Sequence, residues 1–149
     1  MKLYRITREK YATKLVASGR GNRWNKEKQY VIYASSSRAL AALELVAHRS
    51  AIMEGLVYNT VVIEASVTKN SIPSVDQDTL PEKWQQLENY HVTQNIGAEW
   101  YDNQKSLILR VPSALVNEEF NYIINTLHPD FTKIKIAGLE DFIWDKRLL

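Results

Sequence analysis

Apolar and polar positions along this chain fall into short strand-like runs, interrupted by one long helical stretch. Leu3 to Ile6 alternates apolar and polar and predicts a first strand. Tyr30 to Ala34, β-branched and aromatic, predicts a buried strand. Thr60 to Ala65, within Val57 to Val67, predicts another, and Leu107 to Val111 a third core strand that stops at Pro112. Asn121 to Asn125 and Thr132 to Ile136 predict two more strands, with His128-Pro129-Asp130 as the turn between them. Lys10 to Val16 reads as a short helical turn. Glu82 to Glu88 and Val92 to Tyr101 read as helices, the second interrupted by Gly97. Asn70 to Pro81, with two prolines, is a loop, and Ser18-Gly19-Arg20-Gly21-Asn22 is a loop in which glycine permits an unusual backbone path.

The segment from Ser36 to His48 predicts a helix that is apolar almost all round, with Ser35, Ser36 and Ser37 as N-cap candidates. Such a helix is normally buried, yet Glu44 stands in its middle. Desolvating a lone carboxylate costs several kcal/mol or more, roughly, so the group needs a partner or a purpose. His48, four residues on, is within reach as a structural partner. Glu44 is therefore either a paired core charge or part of a site.

Strands without a regular βαβα alternation predict an α+β fold in one compact domain spanning 1–149. A net charge of +2 and the lack of any long Lys/Arg run argue against nucleic acid as a direct partner. The chain has no cysteine, and its three histidines are scattered, so a metal site is not expected. No apolar run approaches a membrane span and no signal-peptide pattern opens the chain, which predicts a cytoplasmic protein. P-loop, GxGxxG, HExxH and GxSxG patterns are missing.

Candidate chemistry therefore rests on polar residues at the edges of apolar elements. Arg23 follows the glycine loop and offers a planar fork for phosphate or carboxylate, or an ordinary surface cation beside Trp24. Tyr33 ends a strand and could stack on a flat ligand or belong to the core. Ser113 follows a strand where proline stops the ladder, a common place for a turn serine. Arg5 is a cation on the first strand where an apolar residue is the default.

Taken in order, these residues resemble the RES domain: Tyr4-Arg5-Ile6, Gly21-Asn22-Arg23-Trp24-Asn25, Val31-Ile32-Tyr33-Ala34, Leu40-Ala41-Ala42-Leu43-Glu44, Gly97-Ala98-Glu99-Trp100, Leu109-Arg110-Val111-Pro112-Ser113 and Glu119 to Asn125, then His128-Pro129-Asp130-Phe131 and Asp145 to Leu148. The family's name-giving Arg, Glu and Ser map onto Arg23, Glu44 and Ser113. The chain departs from the family pattern at Asn22, where a second glycine is common, and at Lys26-Glu27-Lys28-Gln29.

The resemblance implies a fold similar to ADP-ribosyltransferase toxins, with mixed or antiparallel sheets and flanking helices. It implies a toxin that consumes NAD at the nicotinamide–ribose bond, by hydrolysis or phosphorolysis, without a metal, and that is neutralised by an Xre-like antitoxin covering the site. Glu44, Arg23 and Ser113 would be catalytic, and Arg5, Arg23, Tyr33, Ser113, Asn121 and Asn125 would bind NAD. On this reading His48 supports the carboxylate. The alternatives are a protein ADP-ribosyltransferase using the same pocket, and a non-catalytic binding module in which Arg23 and Glu44 form a structural pair. Apolar and aromatic stretches could also supply a surface for a homodimer.

Overall fold

A computed structural model describes residues 1–48 and 55–148; Leu149, the end of the expected domain, lies outside the described residues. Six strands build one sheet: β1 (Lys2–Arg8), β2 (Val31–Ser35), β3 (Tyr58–Ala65), β4 (Ile108–Pro112), β5 (Phe120–Asn125) and β6 (Ile134–Phe142). Their order across the sheet is β4-β5-β2-β1-β3-β6, and every pairing between these strands is antiparallel. Two α-helices, α1 (Arg38–Ala47) and α2 (Tyr90–Asn103), complete an α+β architecture among the described residues.

Side-chain alternation sorts the core into one shared face and two half-faces. Leu3, Ile32, Ala34, Val61, Ile63, Ile108, Tyr122 and Ile124 point to one side and form a continuous cluster across the sheet. The opposite side is divided. Over β4-β5-β2, Leu109, Val111 and Ile123 pack with Trp24, Trp84 and Tyr101, the last from α2. Over β1 and β3, Ile6 and Tyr58 pack with Ala41 and Leu45 of α1 and with Phe142 and Trp144. Full burial of each such large apolar side chain contributes about 1.5–3 kcal/mol, which is why both helices stay docked.

The division has a backbone counterpart. β1 pairs with β3 along its whole length, from Lys2↔Glu64 to Arg8↔Tyr58, but meets β2 only at Tyr4↔Ser35. Past that point β1 and β2 part, leaving a wedge between Arg5–Arg8 and Val31–Ala34.

Several elements differ from the sequence expectation for identifiable reasons. The helix expected over Glu82 to Glu88 is a set of turns ending in a 3-10 turn at Leu87–Asn89, because Lys83 takes a left-handed backbone (φ 59°) that breaks helical propagation. Lys10 to Val16 reduces to a 3-10 turn at Glu9–Tyr11. The strand expected over Thr132 to Ile136 begins at Ile134, after a 3-10 helix at Pro129–Lys133, and runs into the aromatic tail. Gly97 does not interrupt α2: a Cβ there would overlap the Trp24 carbonyl oxygen, so glycine allows a loop to press on the helix. The helix α1 is not engulfed either. Only Leu40 and Ala41 are buried, and Leu43 faces solvent, because the helix lies on the surface of the sheet.

No helix among the described residues is long and apolar enough to cross a membrane.

Candidate active site

Glu44 is placed by its own helix start. The Ser37 hydroxyl caps α1 by accepting from the Leu40 amide at 3.1 Å, and a cap of this kind contributes about 1 kcal/mol. At the same end, Arg38 grips Glu140 of β6 with two bonds of 2.8 and 2.6 Å and lies over the Tyr4 ring. The helix is thereby fixed in rotation, and residue 44 is directed toward the end of β5.

There Glu44 Oε1 accepts from Asn121 Nδ2 at 2.6 Å and from Ser113 Oγ at 3.2 Å. Asn121 is itself oriented by Ser35, whose hydroxyl donates to Asn121 Oδ1 at 2.7 Å. The Ser113 oxygen accepts from the Leu115 and Val116 amides at 3.1 and 3.2 Å, which leaves its hydrogen for the carboxylate. Among the described residues Oε2 has no hydrogen-bond partner. One oxygen is pinned and the other is available.

His48 does not serve as the carboxylate's partner. Its Nδ1 lies 2.9 Å from the Glu44 main-chain oxygen, closing the end of the helix, because its ring stands a full turn beyond the carboxylate and reaches the backbone first. The structural pair of Arg23 with Glu44 is likewise not formed: each has other partners.

The wedge between β1 and β2 widens into a cleft of about 1280 Å³, lined by Tyr4 to Arg8, Tyr33, Ser35, Glu44, Asn121 and the loop from Lys10 to Asn22 among others. Arg5 faces it without a hydrogen bond or ion pair among the described residues. Burial depresses the pKa of its guanidinium from the ordinary value, and it remains a cation. A partly desolvated cation with no counter-charge is a strong anion acceptor.

Tyr33 lines the cleft with its ring, but its hydroxyl belongs to the neighbouring loop. It donates to Asn25 Oδ1 at 2.7 Å and accepts from the Trp24 amide at 2.9 Å. Burial pushes this phenol well above its usual range, so it stays protonated and able to donate. Asn25, fully buried, turns its amide toward the carbonyls of Arg20, Lys26 and Gln29 at 2.9, 3.1 and 3.2 Å. In the sequence Asn25 stands out only as part of the Gly21–Asn25 motif, and its position after the glycine loop is the signal it offers.

Arg23 is not among the residues lining the cleft. Its guanidinium packs against the Trp84 and Tyr90 rings, 5.8 and 5.3 Å from their centroids, and donates to the Trp84 carbonyl at 3.4 Å. Asn125 is also away from the cleft: its Oδ1 accepts from the Leu127 amide at 2.9 Å and its Nδ2 donates to the Tyr101 carbonyl at 3.4 Å. The structure thus joins Glu44, Ser113 and Asn121 directly, brings Arg5 and Tyr33 to the same cleft, and places Arg23 and Asn125 outside the lining of that cleft. Ser35 is a further member, read from sequence only as a possible cap. Among the described residues no group of three or more His, Asp or Glu could hold a metal.

Comparison with known proteins matches a family model described as "RES domain" to residues 2–145. The "Prs ADP-ribosylating toxin" of Sphingobium sp. (strain YBL2) is 36% identical, across 87% of this chain and 81% of that protein. A "Toxin Res" of Photorhabdus laumondii is 34% identical, across 100% of this chain and 97% of the relative. A "Toxin Res" of Yersinia enterocolitica is 32% identical, with 99% of each chain covered. With the family model spanning nearly all of it, the chain belongs to the RES-domain family.

Proposed function

We propose that this protein is a toxin that consumes NAD by cleaving the bond between nicotinamide and ribose. The observation that carries the reading is the asymmetry at Glu44, which lines a large cleft and whose Oε1 is held by two donors while Oε2 has no hydrogen-bond partner among the described residues. Breaking this glycosidic bond builds positive charge on the ribose as nicotinamide leaves as a neutral ring. A preorganised carboxylate stabilises that charge and accepts a hydrogen bond from a ribose hydroxyl. Water or phosphate then adds at the ribose carbon that nicotinamide has left.

The fit to a dinucleotide rests on two further features. The cleft exceeds the ~300–1,000 Å³ of ordinary small-ligand pockets. Arg5 supplies a cation, without an ion-pair partner among the described residues, for the pyrophosphate or the adjoining ribose oxygens. The Tyr33 ring would wall the nicotinamide, and Ser113 and Asn121 would act by holding Glu44. Arg23 enters through the loop it fastens to Trp84 and Tyr90, with the phosphate contact falling to Arg5.

A second reading keeps the pocket and changes the acceptor. The Sphingobium relative is named for ADP-ribosylation, which favours transfer to a protein. In either case a helix-rich, Xre-like antitoxin would cover the cleft, and the NAD pool attacked would be cytoplasmic.

The test is incubation with NAD, with and without phosphate, followed by product identification. Free ADP-ribose indicates hydrolysis, its phosphate indicates phosphorolysis, and label retained on protein indicates transfer. Glu44→Gln, whose amide oxygen still accepts from Asn121, is expected to fold and to leave NAD intact. Depletion of NAD by that variant at the wild-type rate would overturn the mechanism.

A further inference from the structure

The cleft runs along β1, lined by five consecutive residues from Tyr4 to Arg8. Its reacting end is at Tyr4, because Tyr4 pairs with Ser35, Ser35 holds Asn121, and Asn121 holds Glu44. At a strand rise of about 3.3 Å per residue, Arg8 lies roughly 13 Å further along. The wall continues through Lys10, Tyr11, Lys14 and Arg20. This is comparable to the span from the reacting ribose of a dinucleotide, across its pyrophosphate, to the adenosine ribose.

Adenosine in NAD carries no charge beyond the pyrophosphate, yet this far end is strongly cationic. Lys10, Lys14 and Arg20 form no ion pair with a carboxylate among the described residues. Glu27 and Glu44 are the carboxylates in the lining among the described residues, and Glu27 Oε1 accepts from the Gly21 amide at 3.0 Å. Lys10 and Arg8 both crowd Tyr11, at 4.8 and 5.2 Å from its ring centroid, and together hold its phenol below the usual range. Like charges gathered around one cavity focus a positive field into it. The Tyr11 ring is half exposed (52%) beside them and offers a flat apolar surface for a base.

We infer that the end of the cleft remote from Glu44 is a phosphate-monoester subsite, through which the cleft takes a dinucleotide phosphorylated on its adenosine ribose in addition to NAD. Arginine beside that ribose is how other dinucleotide sites accept a 2′-phosphate. The inference rests on the NAD-cleaving reading for the direction of the ligand, but its test does not.

Calorimetry with the full chain compares adenosine 2′,5′-bisphosphate with ADP, which carry the same number of phosphates placed differently. At least tenfold tighter binding of the 2′,5′-bisphosphate is expected. That preference is expected to vanish in a Lys14→Gln, Arg20→Gln double variant, with ADP affinity changed less than twofold. Lys10→Gln alone, at an exposed position, gives the same readout if the double variant does not fold. Equal affinity for the two ligands overturns the subsite. So does a variant that weakens both alike, or inorganic phosphate competing as well as the 2′,5′-bisphosphate. NAD cleavage is scored separately: cleavage without the 2′ preference removes the subsite alone, whereas the preference without cleavage supports the subsite and removes the proposed activity.

Discussion

Asn121 holds Glu44 from the neighbouring strand, donating its amide to Oε1 at 2.6 Å while Ser35 fixes the amide's other end at 2.7 Å. Together with Ser113, these residues, separated by up to 86 positions in sequence, fix Oε1 and leave Oε2 without a hydrogen-bond partner among the described residues. Asn121→Ala removes the shorter of the two bonds to that oxygen. Hydrogen bonds to charged groups are worth about 1.5–3 kcal/mol, so turnover should fall by roughly 10- to 100-fold. Unfolding stability should fall as well, by about 1–3 kcal/mol, because the buried Ser35 hydroxyl loses its partner. Steady-state kinetics of the purified variant checks this, and an unchanged rate of NAD loss would count against the role given to Oε1.

Arg5 sits where burial penalises its charge without an ion-pair partner among the described residues to offset it. Replacing it with an apolar residue of similar length should relieve that penalty and remove the anion contact together. Arg5→Met is therefore expected to melt at the wild-type temperature or a few degrees above it, while binding NAD at least tenfold more weakly. Calorimetry on the two proteins decides; unaltered NAD affinity would remove Arg5 from the site.

Tyr33 is hydrogen-bonded to the 20–25 loop through its hydroxyl, where the Trp24 amide and Asn25 Oδ1 both meet one atom. Tyr33→Phe keeps the ring against the cleft and leaves those two groups unpaired. A loss of about 1–3 kcal/mol in denaturant unfolding is expected, together with faster hydrogen exchange at Trp24. Protection at Trp24 equal to wild type would show that the loop is held by other contacts.

Gly97 faces the Trp24 carbonyl so closely that any Cβ must displace the loop or the helix. Gly97→Ala ought to destabilise by about 1–3 kcal/mol or more, against the helix-propensity gain of about 1 kcal/mol that alanine brings elsewhere. A chemical denaturation curve with an unchanged or higher midpoint would contradict this.

Arg38 lowers the pKa of the Glu140 carboxyl below its ordinary value, chiefly through their paired hydrogen bonds. A group depressed in the folded state adds stability above its unfolded pKa and loses it as pH falls through the folded one. Both side chains are partly exposed, so the effect is modest and screened by salt. Glu140→Gln should accordingly show a flatter loss of stability in the acid range than wild type, measured as melting temperature against pH. Parallel curves would mean that the pair does not couple to folding.

Local patterning was enough for much of the fold. Alternation in Leu3–Ile6 and the apolar runs of Tyr30–Ala34, Thr60–Ala65, Leu107–Val111 and Asn121–Asn125 mark strands that the structure contains, because side-chain period and burial are properties of a few adjacent residues. The serine cap of α1 was legible for the same reason, down to a choice among three serines. The ordered motifs also pointed to the family, since each is a short contiguous string. Elements whose ends depend on backbone sign or on distant partners were not legible: nothing near Glu82 announces a left-handed Lys83, and Gly97 reads as a helix breaker until Trp24 is seen against it.

The site divides along the same line. A carboxylate in an apolar helix is visible in one dimension, and it was enough to single out Glu44. Whether that group is a paired core charge or an available one depends on where β1 and β2 part, which residues from β5 and the Pro112 turn arrive at Oε1, and where His48 and Arg23 turn instead. Those are relations between segments far apart in the chain, set by sheet order and helix docking. No local pattern encodes them, because the free energy that selects them comes from the packing of the whole sheet.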